Sequence, residues 1–418
     1  MKYFFAITYM LLLANASLTA QNRTVPGSTP FVISPNAICN NTENYIPYNP
    51  KYTPVKRIRL AIHIFGKDDG SGNLQNTPEH LDYIQKVFNH VAWFYNNLDT
   101  MRPASPLYSY ISDSRIRFVI DTIFFHQNTD DWDFRKYTAK FSAQKNDTIY
   151  SENSAFQRAQ KLYNKYVAEN RQLSIRLKDS ALHIFLLEAK YFSNRGMAES
   201  INTKRWVFNI GAFDMYAKGK NHWDPGMVLA HELGHALGLV HPYDYEQCAD
   251  LPASPKGVTN NMMDTYPNEG RGITPCQLGI LHYNLCGKSG RIGDVVIRDW
   301  CSNHPDTIVK IPSGDTVFFA GEKYFLGDVY IETGAVLVIK CTVSLPAGAS
   351  FYIAEKGTLI LDGGILTNLC GQKWNGVKLE KRGKFLGIFN RKSKSVLDIR
   401  NNGKIENATI NITEAKFE

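Results

Sequence analysis

Polar and apolar residues alternate from Arg57 to Phe65 (RIRLAIHIF), and a period of two predicts a β-strand. The period then changes. From Pro78 to Asn97 the apolar positions Leu81, Ile84, Val87, Phe88, Val91 and Phe94 recur at helical spacing. Ile116 to Phe125 predicts a second strand, Ser154 to Val167 a second helix, and Ala181 to Leu187 and Trp206 to Phe213 two further strands. The polar stretch 127–152 reads as a loop, with Asp130, Asp131 and Asp133 solvated. Asp224 and Pro225 suit the N-cap and first turn of a strongly apolar helix that continues through Met227, Val228, Leu233, Leu237 and Leu239.

After about residue 305 the texture is different. Tyr330 and Tyr352, Ile331 and Ile353, and Leu337 and Leu359 are each 22 apart, within short strands separated by glycine turns. That repeat predicts a short parallel β-solenoid, with a β-sandwich as the alternative. Val396 to Ile399 and Gly403 to Ile405 would start another rung. The chain ends near Glu418 without an evident cap, so the solenoid is expected to be truncated or covered by a partner.

The densest chemistry lies in residues 231–241, HELGHALGLVH. His231 and His235 are four apart, so a helix projects both imidazoles from one face. Glu232 is placed to act as a general base without ligating a metal. Gly238 lets the backbone leave the helix through positive φ, and His241 can return as a third ligand. Three protein ligands leave a coordination position open, as in catalytic rather than structural zinc sites. Some twenty residues on comes Asn260-Asn261-Met262-Met263-Asp264. The extended motif followed by N-x-M-D resembles the metzincin clan of zinc endopeptidases. The stretch Ile273 to Tyr283 is similar to the helix after the Met-turn in pappalysin-like members. The resemblance implies an α+β catalytic domain, a twisted sheet with helices and an active-site helix. It implies one catalytic zinc on His231, His235 and His241, Glu232 as base, and Met263 (or Met262) as the Met-turn residue beneath the metal. Many metzincins carry Tyr two residues after that Met. Here the position is Thr265, and Tyr266, one further on, is the candidate oxyanion helper.

Composition sets the context. The chain has 418 residues, enough for two or three domains. Lys2, the short apolar run Tyr3 to Leu13 and small residues near Ala16 or Ala20 predict a signal peptide over 1–20 and an exported chain, secreted or at the cell surface. Residues 21–55, rich in Asn, Pro, Thr and Ser, read as a propeptide or N-terminal arm. The catalytic domain is expected over 56–304 and the β-rich domain over 305–418. Seven cysteines suit an oxidising compartment. The expected pairs are Cys248–Cys276, Cys286–Cys301 and Cys341–Cys370. That leaves Cys39, whose thiolate could hold the zinc's open position as a latency switch; a free or differently paired thiol is the alternative. Asp68 and Asp69 fail the EF-hand spacing, so no motif supports structural calcium. The net charge is +8, and Lys/Arg residues over 373–404 supply much of it. A solvated basic face is the plain reading, and contact with a cell surface or acidic polysaccharide the functional one. No nucleic-acid motif accompanies it. Peptidase followed by solenoid in an exported chain resembles secreted peptidases of Bacteroidetes-type bacteria. The expected partner is a protein or peptide substrate. A surface-binding or adhesive protein with a vestigial metal site is the rival reading, and the intact Glu232 argues against it.

Overall fold

The computed structural model describes residues 35–103, 109–134, 139–142, 147–150, 152–188, 196–198, 206–244, 246–251, 254–264, 270–287, 290, 292–380 and 394–415. The expected signal peptide lies outside them. Through the first part the chain forms α1 (Pro35–Cys39), β1 (Lys56–Gly66), α2 (Pro78–Asn96), β2 (Ile116–Gln127), α3 (Thr129–Trp132), β3 (Ala139–Ser142), β4 (Asp147–Tyr150) and α4 (Glu152–Tyr163). It continues with α5 (Ile175–Asp179), β5 (Leu182–Leu187), β6 (Gly196–Ala198), β7 (Trp206–Ile210), α6 (Ala212–Ala217), α7 (Trp223–Ala236) and α8 (Pro275–Asn284). The main sheet has the order β2-β1-β5-β7-β6, parallel except for the antiparallel edge strand β6.

Alternation along β1 explains its central place. Ile58, Leu60, Ile62 and Ile64 face the core shared with α2 and α7, while Phe65 enters a second core with Phe185, Phe208 and α4. On that second face His63 Nδ1 lies 2.9 Å from His126 Nε2, and His63 Nε2 lies 3.0 Å from His183 Nδ1. This α+β arrangement agrees with the expected twisted sheet and helices. Three local expectations differ. Gly211, at φ 87°, ends β7 at Ile210 and sends Ala212 and Phe213 into a helix. The expected loop 127–152 contains α3 and the hairpin β3-β4, and Asp131 is buried against Arg158 (3.1 Å), Lys165 (2.6 Å) and Tyr166 (2.7 Å). Helix α7 starts at Trp223 after the N-cap residue His222, and Asn221 Oδ1, one residue earlier, accepts from the Trp223 and Asp224 amides. Asp69 accepts a turn hydrogen bond from the Ser71 amide, and Asp68 accepts one from the Thr129 hydroxyl at the start of α3.

The C-terminal part is β8 (Val309–Ile311), β9 (Thr316–Phe319), β10 (Lys323–Tyr324), β11 (Val329–Ile331), β12 (Val336–Ile339), β13 (Thr342–Ser344), β14 (Ser350–Ile353), β15 (Thr358–Asp362), β16 (Ile365–Thr367), β17 (Gly376–Glu380), β18 (Val396–Arg400), β19 (Lys404–Ile405) and β20 (Ile412–Ala415). They form three parallel sheets, β10-β13-β16-β19, β20-β17-β14-β11-β8 and β18-β15-β12-β9. Each strand pairs with the strand three places along. The register sets Tyr330 opposite Tyr352, Ile331 opposite Ile353 and Leu337 opposite Leu359. Phe319, Ile331, Leu337, Phe351, Leu359 and Trp374 fill the space between the sheets.

Residues 42–55 pack against both cores. Tyr45 lies edge-on to Tyr283 of α8, and Tyr52 edge-on to Phe319. The disulfides correct the expected pairing. Cys248–Cys276 forms, but the other two are Cys39–Cys341 and Cys301–Cys370, and Cys286 is a buried free thiol. Its sulfur receives a hydrogen bond from Lys56 Nζ at 3.2 Å. Cys39 is therefore joined to the C-terminal sheets, and its sulfur is not a thiolate available at a metal.

Candidate metal centre

Helix α7 buries Leu229, Ala230, Leu233 and Ala236 against the main core. That leaves His231 and His235, one turn apart, on a shared side. Gly238, at φ 111°, then turns the chain off the helix. A residue with a Cβ would be strained there. The turn is clamped by Gln247, whose Nε2 donates to Gly238 O (2.8 Å) while its Oε1 accepts from Val240 N (3.2 Å). His241 returns toward the helix beyond that clamp.

The three Nε2 atoms converge. His231 and His235 are 3.1 Å apart at Nε2, His235 and His241 3.0 Å, His231 and His241 3.3 Å. All three could hold one metal ion. Their spacing is close to the edge of a tetrahedron whose corners lie about 2 Å from its centre, the distance of imidazole nitrogen from zinc. The opposite ring nitrogens are all engaged. His231 Nδ1 donates to Met262 O (2.8 Å), His235 Nδ1 to Leu239 O (2.9 Å) and His241 Nδ1 to Asp244 Oδ2 (2.8 Å). Oxygen acceptors require the proton on Nδ1, so each Nε2 keeps its lone pair facing inward. Burial lowers His231 to about 4 and His235 to about 3, so both are neutral at ordinary pH.

Glu232 is buried beside these ligands, and burial pushes its carboxyl up to about 8. It lies against the backbone of edge strand β6: a Cβ on Gly196 would come within 2.5 Å of Glu232 Oε1. Below the helix, Met263 is fully buried and its thioether fills the space left by the missing side chain of Gly234. Met262 contributes its carbonyl to His231 rather than its sulfur. The Met263 amide donates to Asn261 Oδ1 (2.9 Å), and Asn261 Nδ2 donates to Gln277 Oε1 of α8 (2.8 Å). Asp264 accepts from the Gly257 and Thr259 amides, closing the turn. Tyr266, with Thr265 before it, lies outside the described residues. The Cys248–Cys276 bridge joins the segment after His241 to the start of α8.

The fold and this geometry have a counterpart among known families. Residues 66–274, half of the chain, match the family model described as metallo-peptidase family M12. The chain belongs to that family. It is a metalloendopeptidase of metzincin type, and the family implies a catalytic metal. The M12 match begins at the end of β1 and covers β2, β5, β6 and β7 of the main sheet, the ligand helix and the turn carrying Met263. Solved structures similar to this M12 metallopeptidase include mature mirolysin of Tannerella forsythia in complex with a cleaved peptide, at 14% identity and a TM-score of 0.38, covering 59% of this chain and 97% of that one. Mirolysin in complex with compound 9 is similar at 13% identity and a TM-score of 0.36, covering 59% and 97%. A chaperone–substrate complex follows at 11% identity and a TM-score of 0.29, covering 58% and 35%. No curated protein matches the chain.

Residues outside the motif complete this M12 site. Asp244, Gln247 and Gln277 are not singled out by the sequence, and Asn261 stands there only as the Asn of N-x-M-D, with no role assigned. Asp244 carries a signal of its own, an acid three residues after a ligand histidine. Gln277 could have been read from the capping box it makes with Thr274 on α8.

Proposed function

We propose that the chain is an exported zinc endopeptidase with His231, His235 and His241 as ligands and Glu232 as general base. The observation that carries the reading is the convergence of three Nε2 lone pairs, each set by an acceptor behind its ring. When bound there, zinc supplies Lewis-acid polarisation of the scissile carbonyl and acidifies water. Glu232 takes the proton of the attacking water and passes it to the leaving amine nitrogen. A nearby dication would favour the charged carboxylate and so oppose the rise that burial causes. Met263 forms the floor under Gly234 without joining the chemistry. The outer edge of β6 has no strand partner among the described residues. An extended peptide adding to that edge would lay its backbone beside Glu232.

We assign the catalytic domain to 56–304 and the second domain to 305–418, and read its three parallel sheets as a short solenoid. Its basic stretch 373–404 would contact a cell surface or acidic polysaccharide; Lys381, Arg382, Lys384, Arg391 and Lys392 of that stretch lie outside the described residues. Three disulfides suit an oxidising compartment. Among the described residues no helix is long and apolar enough to cross a membrane. The test uses protein lacking residues 1–20, a denatured protein substrate, a zinc chelator and the Glu232→Gln variant. Cleavage that is chelator-sensitive and at least a hundredfold slower in the variant, with zinc still bound, supports the reading. Full activity in Glu232→Gln refutes the mechanism.

A further inference from the structure

The three ligand histidines are not supported alike. His231 and His235 stand on α7, held by the helix backbone, and their Nδ1 protons go to main-chain carbonyls. His241 stands beyond the Gly238 turn, where no helix fixes its ring. Side chains hold it instead. Asp244 Oδ2 accepts from its Nδ1 at 2.8 Å, and the Tyr243 ring stacks on it with centroids 4.6 Å apart and planes 10° from parallel. Lys256 lies over that Tyr243 ring, 5.2 Å from its centroid. Asp244 is the sole ionisable acceptor among the three. A carboxylate behind an imidazole orients the ring, fixes the tautomer and increases the basicity of the ligating nitrogen. The other two rings receive only orientation and tautomer control.

Resting on the zinc reading above, we propose that Asp244 is a positioning residue that sets how tightly and how long this site holds its metal. The Asp244 side chain is 50% exposed, so removing it unburdens no core and leaves the metal-free fold intact. Asp244→Ala removes both orientation and charge. Asp244→Asn retains an oxygen acceptor and removes the charge alone.

The experiment measures zinc affinity by competition with a chelator of known affinity, zinc release rate, and the melting temperature of each metal-free protein. Asp244→Ala is expected to bind zinc about 10- to 100-fold more weakly. Release should be faster, and metal-free melting unchanged. Asp244→Asn should fall between it and wild type. Wild-type zinc affinity in Asp244→Ala, within twofold, overturns the inference while leaving the peptidase reading standing. So does a lowered metal-free melting temperature with no recovery in Asp244→Asn, which would make the residue merely structural. A wild-type chain that takes up no zinc overturns the zinc reading on which the inference rests.

Discussion

Replacing Cys39 and Cys341 together with Ser should cost this protein several kcal/mol of stability, on the order of a long-loop disulfide. The bridge closes a separation of 302 residues. The chain-entropy relation for such a loop gives about 6 kcal/mol at 25 °C, against a usual range of about 2–5 kcal/mol for native bridges. The other two disulfides shorten the effective loop, but the dependence is logarithmic, so the figure falls by only about 0.1 kcal/mol. The folded side of the argument is the strap that the bridge anchors. Tyr45 donates to Cys39 O at 2.7 Å, and a Cβ on Gly279 of α8 would stand 2.5 Å from Thr42 O. Helix α8 in turn holds Asn261 through Gln277, so the strap braces the floor of the site from behind. The assay is thermal and urea unfolding of the zinc-loaded double variant beside wild type. The expected result is a melting temperature lower by on the order of 10 °C. A steeper urea dependence should accompany it, since the unfolded chain loses a cross-link. Peptidase activity well below the transition should persist. On a non-reducing gel, wild-type chain nicked between residues 40 and 55 should retain its N-terminal piece and release it on reduction. Unchanged melting, or release of the piece without reductant, would refute the strap.

Two further expectations concern the site and the sheet. Gly196→Val places a Cβ within 2.6 Å of Glu232 Cγ and Val228 Cγ1; it should lower kcat/KM at least about tenfold through a displaced base, since misplacing reacting groups by about 1 Å is costly. Equal kcat/KM, with zinc content unchanged, would show that β6 does not press on Glu232. Acid should destabilise the fold through its histidines. Burial, with His183 and His126 adding to it, holds His63 well below its usual range, and burial brings His126 to about 4. The unfolded chain therefore binds more protons than the folded one as pH falls below 6.5, and stability is lost from there down to about pH 4. His126 alone accounts for up to about 3 kcal/mol of that loss. Urea midpoints between pH 7 and 4.5 should fall, and less so in His126→Phe; an identical slope in the variant would rule His126 out.

Legibility in the sequence followed distance along the chain. β1 announced itself because alternation is a property of nine consecutive residues, and Tyr330 and Tyr352 because their pairing repeats at one fixed offset. The ligand set was readable for the same reason: a helix and one glycine turn bring His231, His235 and His241 together within eleven residues. Asp131 looked solvated among its acidic neighbours because the groups that neutralise it, Arg158, Lys165 and Tyr166, arrive from another element. β6 is three residues long and exists through pairing with β7, so no periodicity could mark it. Cys39 could not be matched to Cys341 because parity and spacing do not encode which ends a fold brings together. The centre itself divides along the same line. Leu239 and Asp244, which set two of the imidazoles, lie within four residues of their ligands. Met262, which sets the third, lies 31 residues from His231 and is delivered by a turn anchored to α8. Two thirds of the support for the metal is thus written beside the motif. The last third exists only once the strap, α8 and the Met263 turn have packed, so the completed site depends on tertiary folding that reaches back to Cys39.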